Sequence, residues 1–363
     1  MTTPKPPSKV FPITTFISDL PTNLIPQPQQ SSPPTENSFS PAKRLIIVGD
    51  VHGMRQSLEA LLSKLKFNKE NGDHLILTGD LINKGPDSAG VLDLAMRLGA
   101  SAVRGNHDNA VLNADAEIRA KQAEPASAST SSIDTDAEVD AGKDLKIPEV
   151  GAPATKHSTA MVLSREQLDW LAALPLILQV KIPQGLSSSL GENLVVVHAG
   201  IVPSISLEEQ DAHAVMHMRS LVTTSDDVDN SITPKLTPDE KHTEEPWIAE
   251  WDRWQEKCTS KTTVVFGHDA KRRLQLGKYA IGLDSGCLYG GQLSALVIEV
   301  SGDGMGLEHK IVSVDCVDEP VAPKLKGEEK EEKEEKEEKE EKEEKEEKEE
   351  KEEKEEKEEK KTG

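Results

Sequence analysis

Five short apolar runs, each stopping at a polar turn that carries glycine, do most to limit what this chain can fold into. RLIIVGD (44–50), HLILTGD (74–80), ASAVRGNHD (100–108), NLVVVHAG (193–200) and KTTVVFGHD (261–269) each read as a buried β-strand that ends in a loop. Between them, MRQSLEALLSKLK (54–66) places Leu58, Leu61, Leu62 and Leu65 at helical spacing, and SAGVLDLAMRLG (88–99) does the same before a glycine stop. Ser164 and Gln167 have capping-box spacing at the start of REQLDWLAAL, which Pro175 ends. Strand and helix in alternation predict an α/β fold.

The two ends and two internal stretches have a different character. Residues 1–42 hold ten prolines among Ser, Thr and Gln, with too little apolar surface to offset chain entropy, so they are predicted to be disordered. Residues 328–360 are eleven copies of Glu-Glu-Lys without an apolar face, so 318–363 is expected to be a charged, solvated tail. Residues 113–155 and 223–245 have little periodicity and read as exposed loop insertions. What remains is one domain, 43–317, with decorated loops.

Charge and cysteine usage exclude several classes. The tail through Lys361 carries 22 Glu and 12 Lys, so the body keeps roughly half of the chain's net charge of −22. An acidic surface repels phosphates; no stable nucleic-acid or anionic-membrane binding is expected, and a phosphate substrate needs a locally positive pocket. Cys258, Cys287 and Cys316 are odd in number and far apart, so neither a disulfide framework nor a thiolate zinc site is expected, and a reducing compartment is the default. No apolar run is long enough for a membrane span, and Lys5 and Lys9 are too few for a transit peptide. The expectation is a soluble, cytoplasmic protein, with a vacuolar location only through another targeting route. The sequence sets no oligomeric state.

The turns after the five strands hold Asp50 and His52 (GDVHG), Asp80 (GDLINKG), Asn106, His107 and Asp108 (GNHD), His198 (VVVHAG) and His268 (FGHDA). Ligands gather beyond the carboxyl ends of strands in α/β sheets, so these groups are expected in one crevice. Carboxylate, imidazole and amide oxygen without thiolate suit Zn, Mn, Fe or Mg. The set exceeds what one ion needs, which implies two divalent ions about 3.5–4 Å apart that share a carboxylate.

The motif order GDVHG, GDLINKG, GNHD, VVVHAG, FGHDA resembles the calcineurin-like metallophosphoesterases over about 44–300. The resemblance implies a four-layer α/β/β/α sandwich. It implies that Asp50 and His52 hold a first metal, that Asp80 bridges, and that Asn106, His198 and His268 hold the second. It also makes His107 the group that protonates the leaving oxygen during metal-hydroxide attack on phosphorus.

Within that superfamily, phosphoprotein phosphatases carry GDxxDRG and GNHE, whereas this chain has Asn83, Lys84 and Asp108 at the corresponding places. Asn supplies no charge to steady an imidazolium, and Lys is a point charge rather than a bidentate fork. Asp108 either orients His107 or caps a helix. GHDAKRRLQLGKYAIGLDSGCLYGGQLSALVIE (267–299) is similar to the ApaH-like branch, which includes bacterial symmetrical diadenosine-tetraphosphate hydrolases. GDLINKGP looks nearest to the fungal metal-dependent endopolyphosphatases of that branch. The resemblance therefore implies hydrolysis of phosphoanhydride bonds in inorganic polyphosphate or dinucleoside polyphosphates. A serine/threonine protein phosphatase is the runner-up, and an interaction scaffold with an idle metal site is the non-enzyme alternative.

Lys84 is expected to grip phosphate, with Arg104, Arg219 and Lys271 as further contacts in a cationic patch that also holds Arg272 and Arg273. His213 and His217 lie at i,i+4 but lack the acidic partner of HExxH, so they read as surface or packing residues. Trp247, Trp251 and Trp254 read as a core-facing stripe.

Overall fold

The runs LIIV (45–48) and LVVV (194–197) are apolar at every position, so both faces of each strand need a cover. The computed structural model, which describes residues 10–27, 44–123, 154–183, 185–225 and 234–322, provides it in four layers. In chain order the strands are β1 (Ile17–Asp19), β2 (Arg44–Val48), β3 (Asp73–Leu77), β4 (Ser101–Ala102), β5 (Ile177–Lys181), β6 (Ser187–Ser188) and β7 (Asn193–Val197). There follow β8 (Ser220–Ser225), β9 (Pro234–Asp239), β10 (Thr262–Phe266), β11 (Gln275–Leu276), β12 (Ala280–Gly282), β13 (Gln292–Val300) and β14 (Gly306–Asp315). The helices are α1 (Arg55–Lys64), α2 (Ser88–Leu98), α3 (Asn106–Ala123), α4 (Lys156–Val162), α5 (Arg165–Ala172), α6 (Ala212–His217) and α7 (Trp247–Lys257).

One sheet runs β4-β3-β2-β13-β14-β6 and the other β1-β5-β7-β10-β12-β11. The two-residue period of a strand sorts the side chains between layers. Leu45 and Ile47 face Leu194, Val196 and Val265 in the core between the sheets. Ile46 and Val48 face the opposite way, under Leu58 and Leu61 of α1 and Val91 and Leu92 of α2. Val195, Val197, Val264 and Phe266 pack beneath Val215 of α6 and Trp247 and Trp251 of α7. This is the α/β/β/α sandwich, and the tryptophan stripe is part of its outer core. Strands β2, β3 and β4 are mutually parallel, as are β7, β10 and β12, so the turns that follow them leave each sheet at one edge.

Four expectations need correction. Residues 10–27 are part of the fold: β1 pairs with β5, setting Ile17 opposite Ile177, and Leu20 and Ile25 are buried. Proline is tolerated there because the segment docks as a sheet edge. Of the expected loops, 113–123 continues α3, and 220–239 contains the antiparallel ribbon of β8 and β9, in which Val222 stands opposite Thr237 and Thr223 opposite Leu236. The remainder of 1–42, residues 124–153 and the Glu-Glu-Lys repeat lie outside the described residues. The folded unit also extends past 317: the buried Asp318 carboxylate accepts from the N–H groups of Gln56 and Ser57 at 3.3 and 2.8 Å, at the start of α1.

Finally, Cys287 and Cys316 form a disulfide with Cα atoms 5.1 Å apart. The register of β13 and β14 sets Gln292 opposite Asp315, which brings the flanking cysteines together although 29 positions separate them. The pairing removes the ground for a reducing compartment as the default. Among the described residues no helix is long and apolar enough to cross a membrane.

Closing a loop of that length is expected to stabilise the fold by about 3–4 kcal/mol. Urea unfolding of a Cys287→Ser, Cys316→Ser double variant should therefore show a lower midpoint than the oxidised wild type; an unchanged midpoint would contradict the pairing.

Candidate metal centre

The two sets of parallel strands empty into a common crevice, and backbone contacts between their turns fix it. Gly267 N donates to His198 O at 2.8 Å, joining the turns after β10 and β7. The Asp50 carboxylate, delivered by β2 of the other sheet, accepts the His268 N–H with both oxygens at 3.0 Å. Close approach depends on glycine at two points. Gly79 has φ +91°, and a Cβ there would stand 2.8 Å from Gly105 N and His198 Nδ1, while a Cβ on Gly267 would strike the Asp50 carboxylate. The turns are also bent where side chains resist it: His52, Asp80, Asn83, Lys84 and His268 have φ of 49°, 49°, 76°, 70° and 69°. Left-handed non-glycine backbone costs on the order of 1–3 kcal/mol each, and here it gathers at one place.

Two overlapping groups of donors result. Asp50, His52 and Asp80 form one, and Asp80, His198 and His268 the other; in each, one donor atom per residue lies within 4.8 Å of the rest, and all of these residues are buried. Asp80 belongs to both. His52 Nε2 lies 3.4 Å from Asp80 Oδ2 and 3.9 Å from Asp50 Oδ2. Asn106 Oδ1 joins the second group at 2.9 Å from His198 Nε2 and 3.2 Å from His268 Nδ1.

The hydrogen bonds at the back of this second group show what it lacks. His198 Nδ1 donates to Thr78 O at 2.9 Å and His268 Nε2 donates to His217 O at 3.0 Å, which leaves each ring's other nitrogen with a lone pair. Those nitrogens are 3.2 Å apart, and His198 Nε2 is 3.3 Å from Asp80 Oδ1. Four groups that can each offer an electron pair thus converge on one point, an arrangement that a cation satisfies. A proton is the competing occupant. Burial opposes charge on His198, but the Asp80 and Asp50 carboxylates outweigh it and raise its pKa to about 9. Burial, with Asp284 and Asp80 nearby, likewise pushes the Asp50 carboxyl well above its usual range. The donor set fits divalent ions.

A sequence profile of the calcineurin-like phosphoesterases matches residues 43–293. The chain belongs to that family. Family members work with a pair of divalent metal ions, and this phosphoesterase is a hydrolase. It is 26% identical over 312 residues to the symmetrical bis(5'-nucleosyl)-tetraphosphatase of Delftia acidovorans, an alignment that covers 75% of this chain and 97% of that protein. The protein of the same name from Erwinia tasmaniensis is 29% identical over 274 residues, covering 69% of this chain and 92% of its own length. A solved structure described as a candidate diadenosine tetraphosphatase matches with a TM-score of 0.54 at 30% identity, over 83% of this chain and 98% of its own.

Around the donor groups of this phosphoesterase, His107 donates its N–H to Asp80 Oδ1 at 2.8 Å and sets its ring edge-on to His52 with centroids 5.0 Å apart. Burial holds its imidazole at about 4; the Asp80 carboxylate opposes this, and Lys84, His198 and His217 add to it. Lys84 is half-buried, and desolvation lowers its pKa against the pull of Asp80, Asp50 and Asp284. Arg219 acts on Lys84 and His268 by charge while donating to Glu240 O at 3.1 Å.

Three sequence-based assignments do not fit. Asp108 does not orient His107: Leu81 and Gly105 N–H groups occupy its oxygens at 3.0 and 2.9 Å, so it ties the GDL turn to the start of α3. The amide of Asn83 faces the ring instead, with Nδ2 3.0 Å from His107 Nδ1. Arg104 is fully buried and donates to the carbonyls of Phe11 and Ala172, so it buttresses the fold away from any substrate. In the cationic patch, Arg272 and Arg273 are bound to backbone carbonyls, at 2.7 Å to Thr243 O and 2.8 Å to Ser285 O, while Lys271 is exposed. His213 and His217 stack with centroids 3.9 Å apart, and the carbonyl of His217 serves to orient His268.

Sequence reasoning missed two neighbours. Asp284 is buried, its carboxyl raised to about 6 by desolvation, and its charge bears on Asp50. Tyr289, 38% exposed, carries a phenol raised by burial and by Asp284 and Asp80. Both sit in LDSGCLYGG, a block that served only to choose the branch.

Because His198 without metal holds a proton up to about pH 9, divalent ions must displace it near neutral pH. Calorimetric titration of the metal-free protein at pH 7.5 in buffers of different ionisation enthalpy should report release of at least one proton per chain. Binding without proton release would contradict the arrangement.

Proposed function

We propose that this phosphoesterase hydrolyses the phosphoanhydride chain of dinucleoside polyphosphates, the substrate class in the names of its curated relatives. The observation that carries the reading is the pair of donor groups sharing Asp80, with His107 bonded to that same carboxylate. Asp50, His52 and Asp80 would hold one divalent cation, and Asp80, Asn106, His198 and His268 the other. When bound, the two ions supply Lewis-acid charge to the phosphoryl oxygens and lower the pKa of water.

The remaining steps fall to the chain's own groups. His107, held by its peptide N–H on Asp80, presents the ring to the leaving oxygen. Lys84 offsets phosphate charge from a desolvated position, where a cation acts more strongly than in water. Arg219 adds a second positive charge and the exposed Lys271 a third, outer one. Lys84 and Arg219 lie close enough to influence each other, which favours a polyanion over a singly phosphorylated peptide, and inorganic polyphosphate is the second reading on that ground.

The test is hydrolysis of diadenosine tetraphosphate, long-chain polyphosphate and a serine phosphopeptide by the metal-loaded full chain. The expected result is cleavage of the dinucleotide into two nucleoside diphosphates, with the phosphopeptide slowest. Faster turnover of the phosphopeptide would overturn the proposal, and polyphosphate ahead of the dinucleotide would select the second reading. His107→Ala should lower kcat by about 100-fold or more with metal content unchanged, and Lys84→Ala should raise KM for the tetraphosphate.

A further inference from the structure

We infer that Asn83 holds His107 as the neutral tautomer protonated on Nε2, and so suits the site to leaving groups that need a hydrogen bond but no full proton. The reasoning starts from the orientation of one amide. Asn83 Oδ1 stands 3.0 Å from the Lys84 peptide N–H, and only an acceptor can face an N–H, so the oxygen and nitrogen of this side chain are not interchangeable. The hydroxyl of Thr159, buried on α4, donates to the same oxygen at 3.4 Å. The amide NH2 is thereby turned toward His107 Nδ1 at 3.0 Å. An NH2 group only donates, so Nδ1 must offer its lone pair and the ring proton must reside on Nε2.

The amide has little freedom to do otherwise. Asn83 is buried, its backbone is in the left-handed region at φ 76°, and its own N–H is fixed to Ser88 Oγ at 3.0 Å. A carboxylate at this position would do the opposite, accepting a proton from Nδ1 and supporting an imidazolium that could pass a whole proton to the leaving oxygen. With Asn83, an imidazolium would set an Nδ1 proton against the amide protons. His107 is left as a neutral hydrogen-bond donor.

That difference sorts substrates by leaving group. In anhydride hydrolysis the water oxygen forms the new P–O bond, the bridging P–O bond breaks, and the leaving phosphate takes the electron pair. Water's protons pass to solvent. A departing phosphate is a weak base, with a second pKa of about 6, and leaves as an anion under a hydrogen bond. A serine alkoxide is a far stronger base and needs the proton delivered. This consequence rests on the proposed phosphoanhydride activity, whereas the tautomer does not.

The experiment is long-range proton–nitrogen NMR of the zinc-loaded, histidine-labelled full chain, with His107 assigned by its loss in His107→Gln. It is paired with the rate ratio of serine phosphopeptide to diadenosine tetraphosphate. Wild type is expected to show an unprotonated Nδ1. The nearly isosteric Asn83→Asp, which keeps an acceptor for the Lys84 N–H, is expected to protonate Nδ1 and to raise the ratio by about tenfold or more. A protonated Nδ1 in the wild type would overturn the inference whatever the activity. The expected tautomers with an unchanged ratio would overturn the leaving-group consequence. An unprotonated Nδ1 in a protein that ignores the tetraphosphate would uphold the tautomer and overturn the proposed substrate instead.

Discussion

The Asp80 carboxylate is the interaction on which the rest of the structure depends. It is buried, sits on left-handed backbone, anchors the His107 peptide, and lies within 3.4 Å of imidazole nitrogens on two sides. Asp50 and Asp284 share its surroundings. Burying uncompensated carboxylates costs several kcal/mol each, and lone pairs turned toward one another add to the penalty. Divalent ions remove the penalty at its source, so metal binding and the stability of these turns become one free energy.

The fold meets this demand from both sheets. Asp50, His52, Asp80 and Asn106 follow parallel strands of one sheet, while His198 and His268 follow parallel strands of the other. The two halves are joined by the His268 N–H on Asp50 and by His198 Nδ1 on the carbonyl of Thr78. The strained turns persist because each is over-determined by its neighbours: the His52 and Gly53 N–H groups donate to the carbonyls of Asp80 and Leu81. Further out, the loop that carries Asp284 and Tyr289 is fixed through Cys287 to Cys316, and Asp318 just beyond is bonded to the start of α1.

Much of this was legible in the sequence, and the reasons are specific. Apolar runs without polar interruption required two covered faces, the family resemblance implied the sandwich, and the glycine-bearing polar turn after each run gave the donors. What was not legible depended on three-dimensional register. Cys287 and Cys316 meet only because β13 and β14 pair as they do, and spacing along the chain carries no sign of that. Residues 1–42 hold too little apolar surface for a core of their own, yet Phe11 and Ile17 complete a surface that already exists, with Arg104 lying over the Phe11 ring. Arg104 and Asp108 adjoin a catalytic motif, and adjacency in sequence suggested substrate contact, but both side chains point into backbone. From sequence Asn83 is only a missing charge; its geometry shows a donor of opposite polarity. Thr159 lies beyond a long stretch without periodicity and had no motif to announce it.

The central claim is that two cations share Asp80, and anomalous scattering from crystals of the manganese-loaded protein tests it directly. The account predicts two anomalous peaks about 3.5–4 Å apart, with one Asp80 oxygen between them, Asp50 and His52 on one side, and Asn106, His198 and His268 on the other. A single peak, or a pair that leaves Asp80 uncoordinated, would contradict it.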